Sequence, residues 1–204
     1  MSDTRLNDEE GEAPSAAVLV GAGGSVARHG TSLGEVIVHI VATHHAALRI
    51  QLPRLRDLID DVVAGASPQT AQELSELHPL YSRLLAEVGG NLSHEEQLVF
   101  PAILRIQHRT TIPACQAGMV ASRVRLATAE HRRISDLLAK MRELSARHLS
   151  PSGPCETCHA LQGMLSEIEA GMREHDRLER EGVFGPAVEL EARLGAGDAR
   201  GVSR

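Results

Sequence analysis

Apolar residues recur at alternating spacings of four and three along four long stretches of this chain. In each stretch the series is interrupted, at a matching depth, by histidine, asparagine or glutamate. The first stretch reads Leu33, Ile37, Val41, His45, Leu48, Leu52, Leu55, Ile59, Val62. The second carries Leu77, Leu84, Val88, Asn91, Glu95 and Leu98. The third carries Val120, Val124, Ala127, His131, Ile134, Leu138 and Met141, and the fourth Leu161, Leu165, Ile168, Met172, His175 and Glu179. Such spacing gathers side chains into one stripe along a helix, and a stripe of this kind must be buried against another. Gly65-Ala66-Ser67-Pro68 and Ser150-Pro151-Ser152-Gly153-Pro154 break the pattern as turns. Helices are expected from Leu33 to the first break, then over about 69–106, 113–147 and 155–181. Pro53 is expected to kink the first, Pro79 and Pro101 to bend or end the second, and Gly182 and Gly185 to end the last. Long helices joined by short loops define an all-α, up-down-up-down four-helix bundle. The aromatic residues are limited to Tyr81, Phe100 and Phe184, so the core must be aliphatic, which suits helices better than a sandwich or barrel.

The seams also pair. Val41, His45, Leu48, Leu52 and Leu55 answer Ala127, His131, Ile134, Leu138 and Met141. Leu84, Val88, Asn91, Glu95 and Leu98 answer Ile168, Met172, His175, Glu179 and Gly182. The run from Asn91 to Pro101 repeats the run from His175 to Phe184, Glu on Glu, Val on Val and Phe on Phe. One helical hairpin is therefore used twice. His175 and Glu179, four residues apart, share a face. A single His-x-x-x-Glu is ordinarily a surface pair, and a lone seam histidine is ordinarily a hydrogen-bonded core residue. Here His45, His131 and His175 fall on one layer with Glu95 and Glu179, and a glutamate among leucines is costly unless paired or metal-bound. Two carboxylates with several imidazoles in a bundle core suit two redox-active metal ions, iron above all, bridged by the carboxylates.

These residues carry a resemblance. The run His39-Ile40-Val41-Ala42-Thr43-His44-His45-Ala46-Ala47-Leu48-Arg49 with Gln51-Leu52-Pro53, the run Glu95-Glu96-Gln97-Leu98-Val99-Phe100-Pro101, Glu130-His131, Pro154-Cys155-Glu156-Thr157-Cys158 and His175-Asp176-Arg177-Leu178-Glu179 resemble the haemerythrin-like (HHE cation-binding) bundles. The likeness is closest to the repair-of-iron-centres di-iron proteins and spans about 33–186. It implies His45, His131 and His175 as terminal ligands and Glu95 and Glu179 as bridges between two Fe ions. It also implies repair of iron–sulfur clusters after nitric oxide or oxidative damage, with oxygen or nitric oxide as small ligand and damaged iron–sulfur proteins as partners. The chain departs from that pattern at Asn91 and Ala66, where histidine is expected, and at the glycine between Phe184 and Pro186. His94 or His44 turning inward would replace a missing ligand; otherwise the gaps open coordination positions or leave a single iron. Two alternatives stand beside repair: a sensor or scavenger of oxygen, nitric oxide or metal, and a structural bundle without metal.

Composition narrows the rest. A net charge of -6 argues against nucleic acid or anionic lipid as main partner. No apolar run approaches a membrane span. Residues 1–31 are rich in Gly, Ala, Ser and acidic side chains and read as a disordered leader, 32–187 as the bundle and 188–204 as a frayed tail. No export signal precedes the bundle, so the protein is expected in the cytoplasm with Cys115, Cys155 and Cys158 reduced. Cys155-Glu156-Thr157-Cys158-His159 has the form of a c-type haem attachment site, but attachment requires export. Gly21-Ala22-Gly23-Gly24-Ser25 lacks the preceding strand of a phosphate loop. No nucleophile–base arrangement identifies an enzyme.

Overall fold

The computed structural model describes residues 32–149 and 155–201, all helix, turn or short connection. The leader expected over 1–31 and the turn expected at Ser150–Pro154 lie outside the described residues. The first long helix comprises α1 (Leu33–Ile40), a π turn (Val41–His45) and α2 (Ala46–Gly65). It starts where the sequence provides a capping box: the Glu35 amide donates to Ser32 Oγ at 3.2 Å, and the Ser32 amide donates to the Glu35 carboxylate at 2.7 Å. Pro53 sits inside α2 without ending it.

The second long helix differs from expectation at its start. Pro68–Glu73 forms a short α3, and α4 (Leu77–His94) begins after a turn. Pro79 therefore lies in the first turn of α4, where its missing N–H leaves no bond unmade. A π turn (Glu95–Val99) leads into α5 (Phe100–Gln107). The third helix, α6 (Met119–His148), starts at Gly118, whose φ of 78° is the left-handed conformation that glycine adopts without strain. The fourth comprises α7 (Glu156–Glu179), a π turn (Arg180–Phe184) and α8 (Gly185–Gly201).

Gly182 and Gly185 thus do not stop the fourth helix. A Cβ at Gly182 would lie 3.1 Å from Val36 Cγ1, and one at Gly185 would lie 3.0 Å from the Arg180 carbonyl oxygen. Close packing against α1 and the widened π turn explain these glycines better than termination does. The helix then runs on through buried Ala187, Glu191 and Leu194. The Glu191 carboxylate accepts from the Val120 and Ala121 amides at 2.8 and 3.0 Å, capping the start of α6.

Cys155 and Cys158 also correct the expectation of reduced thiols. They form a disulfide with Cα atoms 5.3 Å apart, because three-residue spacing on a first helical turn brings the two side chains together. Neither sulfur is left for a haem thioether. Cys115 is free and exposed.

Two apolar cores fill the bundle. One gathers Leu48, Leu55, Leu84, Leu138, Leu165 and their neighbours; the other gathers Ile37, Ile40, Phe100, Ile103, Val183, Phe184 and theirs. Each fully buried Leu or Ile contributes about 1.5–3 kcal/mol. Between the cores lies one polar layer, made by the residues that interrupt the four seams. Among the described residues no helix is long and apolar enough to cross a membrane.

Candidate metal centre

The polar layer coincides with the π turns. His45 is the last residue of the first, Glu95 the first residue of the second, and Glu179 immediately precedes the third. Each turn closes with a bond across five residues, such as the Phe100 amide to the Glu95 carbonyl and the Gly185 amide to the Arg180 carbonyl. Pro101 and Pro186 follow two residues after the second and third. A proline cannot donate to the residue four before it, so the helix there is free to widen. Widening adds a residue to the turn and re-aims the flanking side chains.

All five candidate residues are buried together: His45, Glu95, His175 and Glu179 have no exposure, and His131 has 3%. One ligand atom from each of His45, Glu95, His175 and Glu179 lies within 4.8 Å of the others. His45 Nε2 is 3.3 Å and His175 Nε2 3.7 Å from Glu95 Oε2, and His175 Nε2 is 3.1 Å from Glu179 Oε2. His131 meets the other oxygen of Glu95, 2.8 Å from Oε1, and lies 3.3 Å from Glu179 Oε2. Glu95 therefore divides its two oxygens, Oε2 toward His45 and His175 and Oε1 toward His131.

Several of these atoms are buried without a hydrogen bond: His45 Nε2, Glu95 Oε2, His175 Nε2 and both Glu179 carboxylate oxygens. They crowd one another without hydrogen-bond alignment. Orphaned polar atoms in a dry core are costly. Lone pairs converging on a common centre are what a cation requires, so this donor set of imidazoles and carboxylates fits a metal ion.

Outer partners fix the rings. His45 Nδ1 lies 2.7 Å from Glu96 Oε1, which also accepts from Arg49 at 2.8 Å. His131 Nδ1 lies 3.2 Å from Asp176 Oδ1. An Nδ1–H donating to a carboxylate leaves the Nε2 lone pair facing inward. Sequence reasoning missed Glu96 and Asp176. The available signal was position: each directly follows a seam residue, Glu95 or His175.

Charge is coupled across the layer. Burial alone would raise Glu95, yet the imidazoles of His131, His175 and His45 hold it well below the usual carboxylate range. Burial raises Glu179, and the neighbouring Glu95 charge adds to that against the pull of His175. Burial opposes the charging of His131 and His175, but Asp176, Glu95 and Glu179 push His131 up to about 10, and Glu179 and Glu95 push His175 up to about 9. Without a cation, protons on these imidazoles balance the carboxylates.

The residues at the departures behave differently. Asn91 is in the layer, and its Nδ2 donates to Glu95 Oε1 at 2.6 Å and lies 3.3 Å from Glu130 Oε2. His94 does not reach the centre; its Nδ1 lies 3.0 Å from Glu130 Oε2. His44 is half-buried with its ring 6.0 Å from that of His175. Ala66 is the C-cap of α2, 21 residues and about 30 Å of helix from His45 at the usual rise. It lies beside Cys155 and Cys158, too far along the helix for a side chain at that position to reach the polar layer.

A bundle with a buried His/Glu layer of this form defines a class. A model of the Hemerythrin HHE cation binding domain matches residues 36–187, and the chain belongs to that family. It is also similar to the iron-sulfur cluster repair protein YtfE of Yersinia pseudotuberculosis serotype IB (strain PB1/+). The two are 28% identical over 162 residues, which cover 78% of this chain and 67% of that protein. YtfE of Yersinia pestis (strain Pestoides F) shows the same identity and coverage. The resemblance read from the sequence and the helical fold agree with this membership.

Proposed function

We propose that this protein is a haemerythrin-like non-haem iron protein that serves iron–sulfur cluster repair under nitric oxide or oxidative stress. The observation that carries the metal is the set of inward-facing, unpartnered atoms of His45, Glu95, His175 and Glu179. Repair rests on similarity to proteins named for that activity. In this reading His45, His175, Glu95 and Glu179 would hold iron, and His131 would serve a second ion together with the same two carboxylates. Imidazole with carboxylate suits iron, and the two carboxylates would offset the cation charge. Bound iron supplies redox change and a position for a small ligand such as oxygen or nitric oxide. The protein's own part is to hold the donor atoms in a dry layer, fix the rings through Glu96 and Asp176, and exchange the imidazole protons for the cation.

Metal content and absorption, measured on protein loaded with iron(II) without oxygen and then exposed to air, test the metal. Iron retained by the parent protein and sharply lowered in His175→Ala and Glu179→Ala supports the assignment. Unchanged iron in both variants refutes it. Restored activity of a nitrosylated iron–sulfur enzyme then supports repair. Reversible spectral change with gas and no restoration points to a sensor or scavenger, and failure to take up iron at all points to a structural bundle.

A further inference from the structure

The internal repeat maps one half of the polar layer onto the other. His45 answers His131, Glu95 answers Glu179, and His175 answers Asn91. The four-residue group of His45, His175, Glu95 and Glu179 therefore has an image made of His131, Asn91, Glu179 and Glu95. That image is where Glu95 Oε1 points: His131 Nε2 is 2.8 Å away and the Asn91 amide 2.6 Å away. The repeat also exchanges the next neighbour. The residue before His45 is His44, whose ring lies 6.0 Å from that of His175. The residue before His131 is Glu130, whose Oε2 lies 3.3 Å from the Asn91 amide. His94 Nδ1 lies 3.0 Å from that same carboxylate oxygen, and the His94 and Glu130 side chains are only 11% and 12% exposed. One half of the layer is rich in imidazole, and the other is rich in oxygen.

Asn91 completes the oxygen set. It is 1% exposed, and its Oδ1 has no hydrogen-bond partner. A half-turn about χ2 exchanges amide oxygen and nitrogen at little steric cost. It would carry Oδ1 to the place beside Glu95 Oε1 and Glu130 Oε2 now taken by Nδ2. An amide oxygen beside those carboxylates and one imidazole is the arrangement suited to a hard divalent cation.

We infer that the second position is an oxygen-rich site, formed by Asn91 Oδ1, Glu130, His131 and the shared Glu95 and Glu179, which takes a hard divalent cation, Mn(II), beside iron at the first. The inference rests on the proposed metal pair. Carboxylate and carbonyl donors suit manganese, whereas the imidazole-rich half suits iron. Glu130 adds a carboxylate at the position where the imidazole-rich half has His44, and it is held by His94 at 3.0 Å.

Sequential loading without oxygen tests this. The full chain receives an equivalent of Fe(II), is desalted, and is titrated with Mn(II), with bound metals counted and Mn(II) followed by paramagnetic resonance. The titration is repeated on metal-free protein. About one tightly held Mn(II) per chain beside retained iron is expected. Glu130→Gln should weaken Mn(II) binding at least about tenfold relative to the parent, since it removes an anionic donor. Asn91→His should convert the position to iron and raise iron content above the parent. Mn(II) bound equally by Glu130→Gln, Mn(II) displacing the first iron, or no Mn(II) in either titration overturns the inference. Loss of the first iron as well would overturn the proposed iron site itself, so the two failures are distinct.

Discussion

Asn91 and Glu95 stand one turn apart, and the amide of the first donates to the carboxylate of the second at 2.6 Å, both wholly buried. Without metal this bond helps hold an ionised glutamate between two apolar cores. Asn91→Leu keeps the branched shape and removes the donor, so Glu95 loses a partner it cannot replace from water. Metal-free Asn91→Leu should be less stable by about 1–3 kcal/mol, the usual penalty for an abandoned buried polar group. Urea unfolding at pH 7 measures it, and an unchanged midpoint would mean the amide contributes nothing.

The protonated imidazoles give the metal-free protein a distinctive pH response. His131 is raised to about 10 and His175 to about 9, both above an unfolded value near 6.5. A raised histidine contributes stability that is complete below its unfolded pKa and disappears as pH climbs through its folded pKa. Metal-free protein should therefore lose stability between pH 7 and 10, by at least about 5 °C in Tm for a chain of this size. Metal-loaded protein, with neutral imidazoles bound to the cation, should show much less change, and its metal affinity should rise over the same interval as proton competition falls. Parallel melting curves with and without metal across pH 6–10 check both; identical slopes would contradict the assignment of His131 and His175 to the metal.

Two glycines of the fourth helix should respond oppositely to alanine. Gly171 lies in α7 with nothing within 4 Å of an added Cβ, so Gly171→Ala should gain about 0.5–1 kcal/mol from helix propensity. At Gly182 the new Cβ would meet Val36 at 3.1 Å, and Val36 is β-branched and buried against the neighbouring core. Gly182→Ala should instead cost about 1 kcal/mol through overpacking. Denaturant midpoints of the two variants decide it, and a gain at both would show that α1 moves aside freely.

How far the sequence revealed this arrangement follows from what keeps a period. The four seams were legible because packing against a partner forces apolar residues onto one face, and His45, Glu95, His131, His175 and Glu179 kept that period. Glu96, Asp176 and Glu130 were not legible. They sit one position off the seam and reach the layer from its edge, where a sequence shows only another charged residue on a solvated face. The π turns were hidden too, because an added residue per turn leaves no compositional mark beyond a following proline. Gly182 and Gly185 misled because glycine at a helix end and glycine at a close approach look alike without the neighbouring Val36 and the Arg180 carbonyl.

Glu191 carries the same lesson into the C-terminal helix. Its position falls within the segment expected as tail, yet its carboxylate takes the Val120 and Ala121 amides at the start of α6. Those amides have no partner within α6, and the positive end of the helix dipole favours the charge that meets them. Glu191→Ala should cost about 1–2 kcal/mol, the range for removal of a helix cap. It should also act locally: hydrogen exchange should accelerate at the first turn of α6 and along α8, while the His131 turn, deeper in the same helix, keeps its protection. Glu191→Gln, which retains an acceptor but loses the charge, should recover part of the stability. Exchange rates in α8 unchanged by Glu191→Ala would show that Leu194 and Ala187 hold this helix without the cap.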